Sequence, residues 1–357
     1  MRIRKPLNKL TAKIDLLFLV SVFVLVLFGL VEIWSTDPQL AQKQLQVALG
    51  GILLAGLLVF LDPFYVRLIS PLLFVGSLLF LGAVALFSSP VRGASRWLSL
   101  GPLSFQPSEF IKLTLIFILA FVYSEKRLKP LYRFLIGLVL LCICVLLVVL
   151  QPDLGTGLIL IAIWGGVSLA GGTPLVYLLI LAFTGLVSLP VVWEFIKPYQ
   201  RERIISFLNP RADPLGSGYN VLQAIIATGS GELLGRGLGR GPQSQLRYLP
   251  ERSTDFIFAS LAEEWGLFGC TILIFFYFVL LYRILITARE ASSSFGLVAC
   301  VGVFFMLLSQ FFVNVGMNIG IMPITGLPLP LLSAGGSAFL VTIFSLGFVA
   351  SVYLHRN

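Results

Sequence analysis

Long apolar runs separated by short polar joints make up most of this chain. They fall at about 14–34, 44–61, 68–87, 108–124, 134–150, 155–171, 175–192, 256–282, 295–318 and 336–354. A membrane-spanning helix needs roughly 20 apolar residues. The runs therefore predict an all-α integral membrane protein of about ten transmembrane helices. Several runs are short or carry glycine, which leaves their ends loosely defined. No stretch reads as a soluble domain with its own core. The expected organisation is one polytopic membrane domain, 1–357, with a single large polar loop at 193–255 between the seventh and eighth runs.

Inside that loop, Tyr219, Val221, Leu222, Ile225 and Ile226 recur at helical spacing. This predicts an amphipathic helix lying in the membrane interface. Gly229, Gly231, Gly235, Gly237, Gly239 and Gly241 follow, interleaved with Arg236 and Arg240. Exposed backbone amides beside arginines can hold a pyrophosphate; the other reading is a flexible, solvated linker. No strand is expected before the glycines, so they are not a dinucleotide-binding fingerprint, and no organic cofactor is expected.

Composition sharpens the picture. The chain is 58% hydrophobic and 11% charged, whereas soluble domains carry about 25% charged residues. The first run follows Arg2, Arg4, Lys5, Lys9 and Lys13. A cleaved signal peptide would have an apolar region of ~7–15 residues and then a small-residue cleavage site. The run here is longer and no such site follows, so a first transmembrane helix with a cytoplasmic amino terminus is expected.

Lys and Arg in the short loops then set the orientation. Thirteen fall on the cytoplasmic side, from Arg2 through Arg67, Arg133 and Arg283 to Arg356, against Lys43, Arg92 and Arg96 outside. Loop 193–255 holds eight basic and six acidic residues, but long loops largely escape this rule. Both termini are thus expected in the cytoplasm and the large loop outside. The net charge of +9 follows from that bias, and no nucleic-acid partner is expected. Cys142, Cys144, Cys270 and Cys300 lie in apolar runs, and no histidine is near them. They read as packing residues, without a disulfide or structural metal. The single histidine, His355, is the third residue from the end of the sequence, which argues against histidine-based catalysis.

Ionisable residues at membrane depth are costly and mark candidate sites. Four places qualify. At Gln106–Lys112, Ser108 and Glu109 open the fourth run, and Glu109 and Lys112 are three apart and share a helix face. They form either a self-neutralising buried pair or the lining of a polar cavity, with Lys112 available to a phosphate. At Gln151–Gly157, Asp153 either caps the next helix or belongs to a site. The eighth run opens with Ser253, Thr254 and Asp255. With Ser253 or Thr254 as cap, Asp255 sits in the first turn, where the helix dipole favours its ionised form. On a regular helix Glu263 is about 80° round from Asp255 and roughly 12 Å deeper, while Glu264 faces away. Glu263 is then the expected cavity residue and Glu264 the inter-helix partner. Finally, Asn314–Ser337 holds Asn314, Asn318, Thr325, Ser333 and several prolines and glycines. These interrupt a regular helix and predict a re-entrant or wall-forming loop, since irregular backbone at depth needs protein or a polar cavity around it. A plain turn is the alternative.

These stretches resemble the SEDS (shape, elongation, division and sporulation) family of peptidoglycan polymerases. The resemblance runs through Arg92–Trp97 with Gln106–Glu109 and Lys112, through Gln151–Gly155, and through Gly218–Asn220 with Gln223, Gly229–Gly231 and Gln243–Pro250. It continues through Thr254–Phe258 with Glu263 and Glu264, and through Pro323–Ser337. Five blocks in one order cover most of the chain. The short amino terminus and Pro250–Arg252 are closer to the RodA-like, rod-shape elongation type than to the division type. Ser253 stands where the family usually has histidine, Glu232 where glycine is common and Ala334 where an aromatic is common.

The resemblance implies a glycosyltransferase that polymerises lipid II at the outer face of the bacterial cytoplasmic membrane and releases undecaprenyl pyrophosphate. It implies Asp255 as the base for the acceptor hydroxyl, or as a ligand of a divalent cation (Mg2+ or Mn2+). It implies Lys112 and Arg96 for the pyrophosphate, with Glu109, Ser108, Asp153, Glu263, Asn318, Thr325 and Ser333 around the substrate. The implied partners are a class B penicillin-binding protein, which is a transpeptidase, and other elongation-complex membrane proteins. A lipid II flippase is the competing reading, because broken helices and polar groups within spans also suit a transporter.

Overall fold

In the computed structural model, residues 15–87, 98–100, 103–195, 198–210, 213, 216 and 218–356 are described. Each of the ten expected runs contains a helix: α1 (Leu16–Thr36), α2 (Pro38–Val59), α3 (Pro63–Phe87), α4 (Pro107–Ser124), α5 (Pro130–Leu150), α6 (Leu154–Ala170) and α7 (Leu175–Phe195), then, after the large loop, α11 (Ile257–Glu290), α12 (Ser294–Asn318) and α13 (Gly336–Leu354). Eight are long and apolar enough to cross a membrane. The remaining two apolar segments, Leu154–Ala170 and Leu175–Ser188, are shorter; 17 residues of helix reach only about 25 Å. A hairpin of β1 (Leu98–Leu100) and β2 (Leu103–Phe105), with Leu98 opposite Phe105, precedes α4. Three-residue strands leave too little alternation for the sequence to have signalled them.

The helix starts follow local chemistry. Asp15, Asp37, Asp153 and Ser293 accept backbone N–H groups at the starts of α1, α2, α6 and α12. Proline occupies the first turn of α2, α4 and α5, where its missing N–H costs nothing. The centre of the bundle is α12, packed on α11, α6 and α4; α13 packs on α2, and α1 on α11. Leu115, Ile116, Ile163, Val303, Met306 and Leu307 are fully buried there. By contrast α2, α3, α5 and α7 expose long apolar faces, among them Leu53, Leu72, Leu146 and Phe183. In water such faces would drive aggregation; in a bilayer they meet acyl chains. The molecule is a multi-pass membrane protein.

The large loop is more ordered than its composition suggests. It holds α8 (Pro198–Leu208), α9 (Tyr219–Ser230) and α10 (Pro242–Gln245). The expected amphipathic helix exists as α9, but its buried face is Val221, Ala224 and Ala227, packed with Leu249, Phe256 and Ala259. Ile225 and Ile226 are exposed. Small residues face inward because α9 lies close against α11 and α12.

Candidate active site

Asp255 is carried by a tight turn, not by the helix. Residues 251–256 form turns and α11 starts at Ile257, with Phe256 in the cap position and no side-chain cap. This differs from the expectation that Ser253 or Thr254 caps and Asp255 lies in the first turn. Both cap candidates are used elsewhere. Ser253 Oγ lies 2.9 Å from Thr36 Oγ1 of α1, and Thr254 Oγ1 donates back to Glu251 O at 3.1 Å.

The turn is gripped on three sides. From α12, Asn314 Nδ2 donates to Asp255 O at 2.9 Å and Asn318 Nδ2 donates to the same oxygen at 3.2 Å. Asn318 Oδ1 also accepts Ala259 N at 3.2 Å. From the segment before α13, Ser333 Oγ donates to Thr254 O at 2.5 Å and Ala334 N donates to Ser253 O at 2.8 Å. From α1, Thr36 O accepts Arg252 Nη2 at 2.9 Å. Buried backbone groups need such partners, and here the partners also fix where Asp255 stands. Asn318 and Ser333, expected near the substrate, hold this backbone. Thr325 is buried, its hydroxyl directed at Met317 Sδ.

Segment 319–335 is irregular and largely buried, with Leu327, Leu329, Leu331 and Leu332 inside. Leu332 lies against Gly29 of α1, where a Cβ would come within 2.6 Å of Leu332 O. Gly29 is seven residues before Thr36, or about 10 Å along a helix, so the segment dips that far into the bundle. Its stretch 325–327 runs between two acids. Asp255 Oδ2 is 3.4 Å from where a Cβ on Gly326 would stand, and Gly155, next to the α6 start, meets Thr325 and Leu327.

Across that stretch lies the second polar group. Asp153 Oδ2 accepts Ser108 Oγ at 3.2 Å, Thr156 Oγ1 at 3.0 Å and Gln106 Nε2 at 3.4 Å, and Asp153 caps α6. Gln106 N donates to Ser337 Oγ at 3.0 Å. One turn into α4, Lys112 Nζ lies 2.7 Å from Glu109 Oε2, and both side chains are sealed from solvent. The ion pair is the partner of this ammonium among the described residues. Arg96, the other expected pyrophosphate ligand, lies outside the described residues.

The two glutamates of α11 serve the loop. The helix breaks at Gly266, whose φ of 65° and ψ of −164° only glycine adopts readily. The glycine-rich segment fills the break. Arg236 N and Gly237 N donate to Glu263 O and Glu264 O at 3.0 Å, while Leu267 N and Phe268 N donate to Glu232 O and Leu233 O. The amides of Arg236 and Gly237 are therefore engaged by α11 and not open to a ligand, while Arg236 and Arg240 themselves are exposed. Glu263, expected to line a cavity, is fully buried and accepts Gln243 N, Ser244 N and Ser244 Oγ within 3.0 Å. The start of α10 supplies these partners, which helix counting from Asp255 could not anticipate. Glu264 accepts Ser35 Oγ from α1 at 2.6 Å and Gln245 Nε2 at 2.9 Å.

The last turns of α1 escaped the sequence reading. Glu32, Ser35 and Thr36 lie on the face toward α11, with Glu32 fully buried near Glu263, Glu264 and Trp265. A glutamate within the first apolar run was the signal that could have found them.

The class follows from this arrangement: a multi-pass membrane protein whose acidic and amide side chains gather at one end of the bundle around a re-entrant segment. The chain matches the cell cycle protein family of FtsW, RodA and SpoVE over residues 7–357 and belongs to it. It is 40% identical over 352 residues to the peptidoglycan glycosyltransferase MrdB of Escherichia coli K12, covering 96% of this chain and 94% of that one. It is 35% identical over 355 residues to the stage V sporulation protein E of Bacillus subtilis, covering 95% and 96%. Among solved structures, it resembles a chain of a peptidoglycan synthase complex that coordinates polymerization and crosslinking. There the TM-score is 0.83 at 34% identity, covering 95% of this chain and 97% of that one. It also resembles the rod shape determining protein RodA of Thermus thermophilus, with a TM-score of 0.73 at 30% identity, covering 95% and 96%.

Proposed function

We propose that this protein is a peptidoglycan glycosyltransferase of the elongation type, polymerising lipid II with Asp255 as its central acid. One observation carries the residue assignment. The carboxylates of Glu109, Asp153, Glu263 and Glu264 are buried, whereas Asp255 is half-buried, beside the exposed Gly326 at the end of the bundle. Of these five acids, Asp255 is the one open to a substrate. The relatives named as glycosyltransferases, and polar groups gathered at one end, favour this reading over a flippase, which needs a site near the midplane.

In the proposed reaction the acceptor's O4 hydroxyl attacks the anomeric carbon of the donor sugar. The bond from that carbon to the pyrophosphate oxygen breaks as the new glycosidic bond forms. Asp255 takes the hydroxyl proton, and undecaprenyl pyrophosphate leaves with the bonding electrons. Positive charge must meet that leaving group. Lys112 lies one turn below Ser108 on the same face of α4, so opening the Ser108–Asp153 contact would uncover it; Arg96 is the second cation. No group of three His, Cys, Asp or Glu side chains able to hold a metal occurs among the described residues. Asp255 fits Mg2+ or Mn2+ only in the manner of one carboxylate completed by substrate phosphate oxygens. Such a cation would supply charge to the pyrophosphate.

The proposed orientation places this end of the bundle outside the cytoplasm. A class B penicillin-binding protein is the proposed partner. The exposed Leu233, Leu234, Leu238 and Leu246 of the large loop offer it an apolar surface. The test is polymerisation of purified lipid II with the transpeptidase partner and a divalent cation. Wild type is expected to make glycan polymer and Asp255→Ala none, with folding and partner binding retained. Polymer from the variant would remove Asp255 from the mechanism; lipid II translocation without polymer from wild type would establish the flippase instead.

A further inference from the structure

The last turn of α1 contacts both halves of the polar region through two adjacent side chains. Thr36 Oγ1 is 2.9 Å from Ser253 Oγ, and Thr36 O accepts Arg252 Nη2 at 2.9 Å, so Thr36 holds the turn that carries Asp255. Ser35 holds the loop. Its hydroxyl donates to Glu264 at 2.6 Å and accepts Gly239 N at 3.0 Å, and its carbonyl accepts Gln245 Nε2 at 3.0 Å. Gln245 Nε2 closes the circuit by donating to Glu264 Oε1 at 2.9 Å. The loop then runs directly from Gln245 into the turn at Glu251. Two positive-φ residues, Arg247 and Glu251, bend the backbone on that path. α1 ties the two parts by a second route, and its body packs along α11.

From this geometry we infer that Ser35 and Thr36 form a positioning brace: α1 is the fixed post that sets Asp255 relative to the broken-helix loop. The inference rests on Asp255 being the catalytic acid. Neither hydroxyl touches substrate. Thr36 acts through Ser253 and Arg252, and Ser35 through Glu264 and Gln245.

The test uses full-length protein with its transpeptidase partner. Thr36→Val keeps the shape and removes the hydroxyl; Thr36→Ser keeps the hydroxyl. Misplacing a catalytic group by about 1 Å costs up to roughly 100-fold in rate, so Thr36→Val is expected to lower kcat by about 10- to 100-fold, with KM within about twofold of wild type. Thr36→Ser is expected to restore the rate. Amide hydrogen exchange supplies the readout that does not depend on activity. Thr254 N and Phe256 N both bond to Glu251 O, and their exchange should quicken in Thr36→Val while α12 stays protected. Ser35→Ala should quicken exchange in 237–245 as well. A Thr36→Val protein with unchanged kcat, or with unchanged exchange over 251–256, would overturn the brace. If folded wild type makes no polymer, the catalytic reading fails, and the exchange data still decide whether Thr36 holds the turn.

Discussion

Glu109 and Lys112 show how one pair of side chains can answer to two demands. Three residues apart on α4, they meet at 2.7 Å with neither side chain open to solvent. Removing one member of a buried pair strands the other charge and costs about 3–5 kcal/mol, whereas replacing both by uncharged groups is often neutral. Lys112→Met should therefore lower the thermal midpoint in detergent sharply, and adding Glu109→Gln should restore it. In that stable double variant, lipid II polymerisation is expected to stay low, because the cation proposed to meet the pyrophosphate is gone. Wild-type turnover in the double variant would confine Lys112 to a structural role. The sequence placed these two residues on one face from spacing alone, and it placed Asp153 before α6 by cap chemistry. It could not show that Asp153 also ties Ser108 and Gln106 across two helices, because those contacts join residues about 45 positions apart.

The elements follow the apolar runs closely because helix length in a membrane is set by bilayer thickness. What the runs did not reveal is the break in α11. Gly266 reads as one more glycine in an apolar helix, yet its backbone lies where a side chain is strained by about 1–3 kcal/mol. A Cβ there would also stand 2.2 Å from Gly235 N. Gly266→Ala is accordingly expected to lower the thermal midpoint and to loosen the 231–245 segment, seen as faster amide exchange there. An unchanged midpoint would mean that the loop does not depend on the break. The placement of Glu263 went astray for a different reason: counting 100° per residue from Asp255 assumes that Asp255 is helical, whereas it stands in a turn before α11 and residues 243–244 cover Glu263.

Charge distribution over the whole molecule sets a testable orientation. Arg127 lies at the end of the bundle holding the Arg67–Glu125 and Arg133–Tyr123 contacts, and Arg240 lies in the loop near Ser35, at the opposite end. In cells expressing a variant without its native cysteines, Arg240→Cys should react with a membrane-impermeant maleimide added outside. Arg127→Cys should react only after the membrane is opened. The reverse pattern would invert the proposed topology and separate Asp255 from an external substrate. The exposed apolar faces of α2, α3, α5 and α7 add a second consequence for the whole molecule: stability measured in detergent depends on how well the micelle covers them.

By itself the sequence determined the membrane class, the positions of the apolar helices and the existence of α9, and it singled out the blocks around Lys112, Asp153 and Asp255 as candidates. These are local properties: hydropathy over one span, cap and turn chemistry over a few residues, and a recurring order of motifs. Tertiary structure alone decided that Asp255 sits in a turn gripped by Asn314, Asn318, Ser333 and Thr36, that the amides of Arg236 and Gly237 serve α11, and that α1 joins both parts through Ser35 and Thr36. Each of those outcomes is a contact between residues far apart in the chain. A polar side chain in a dry bundle takes whichever partner the packing brings near, and no periodicity along the chain encodes that choice.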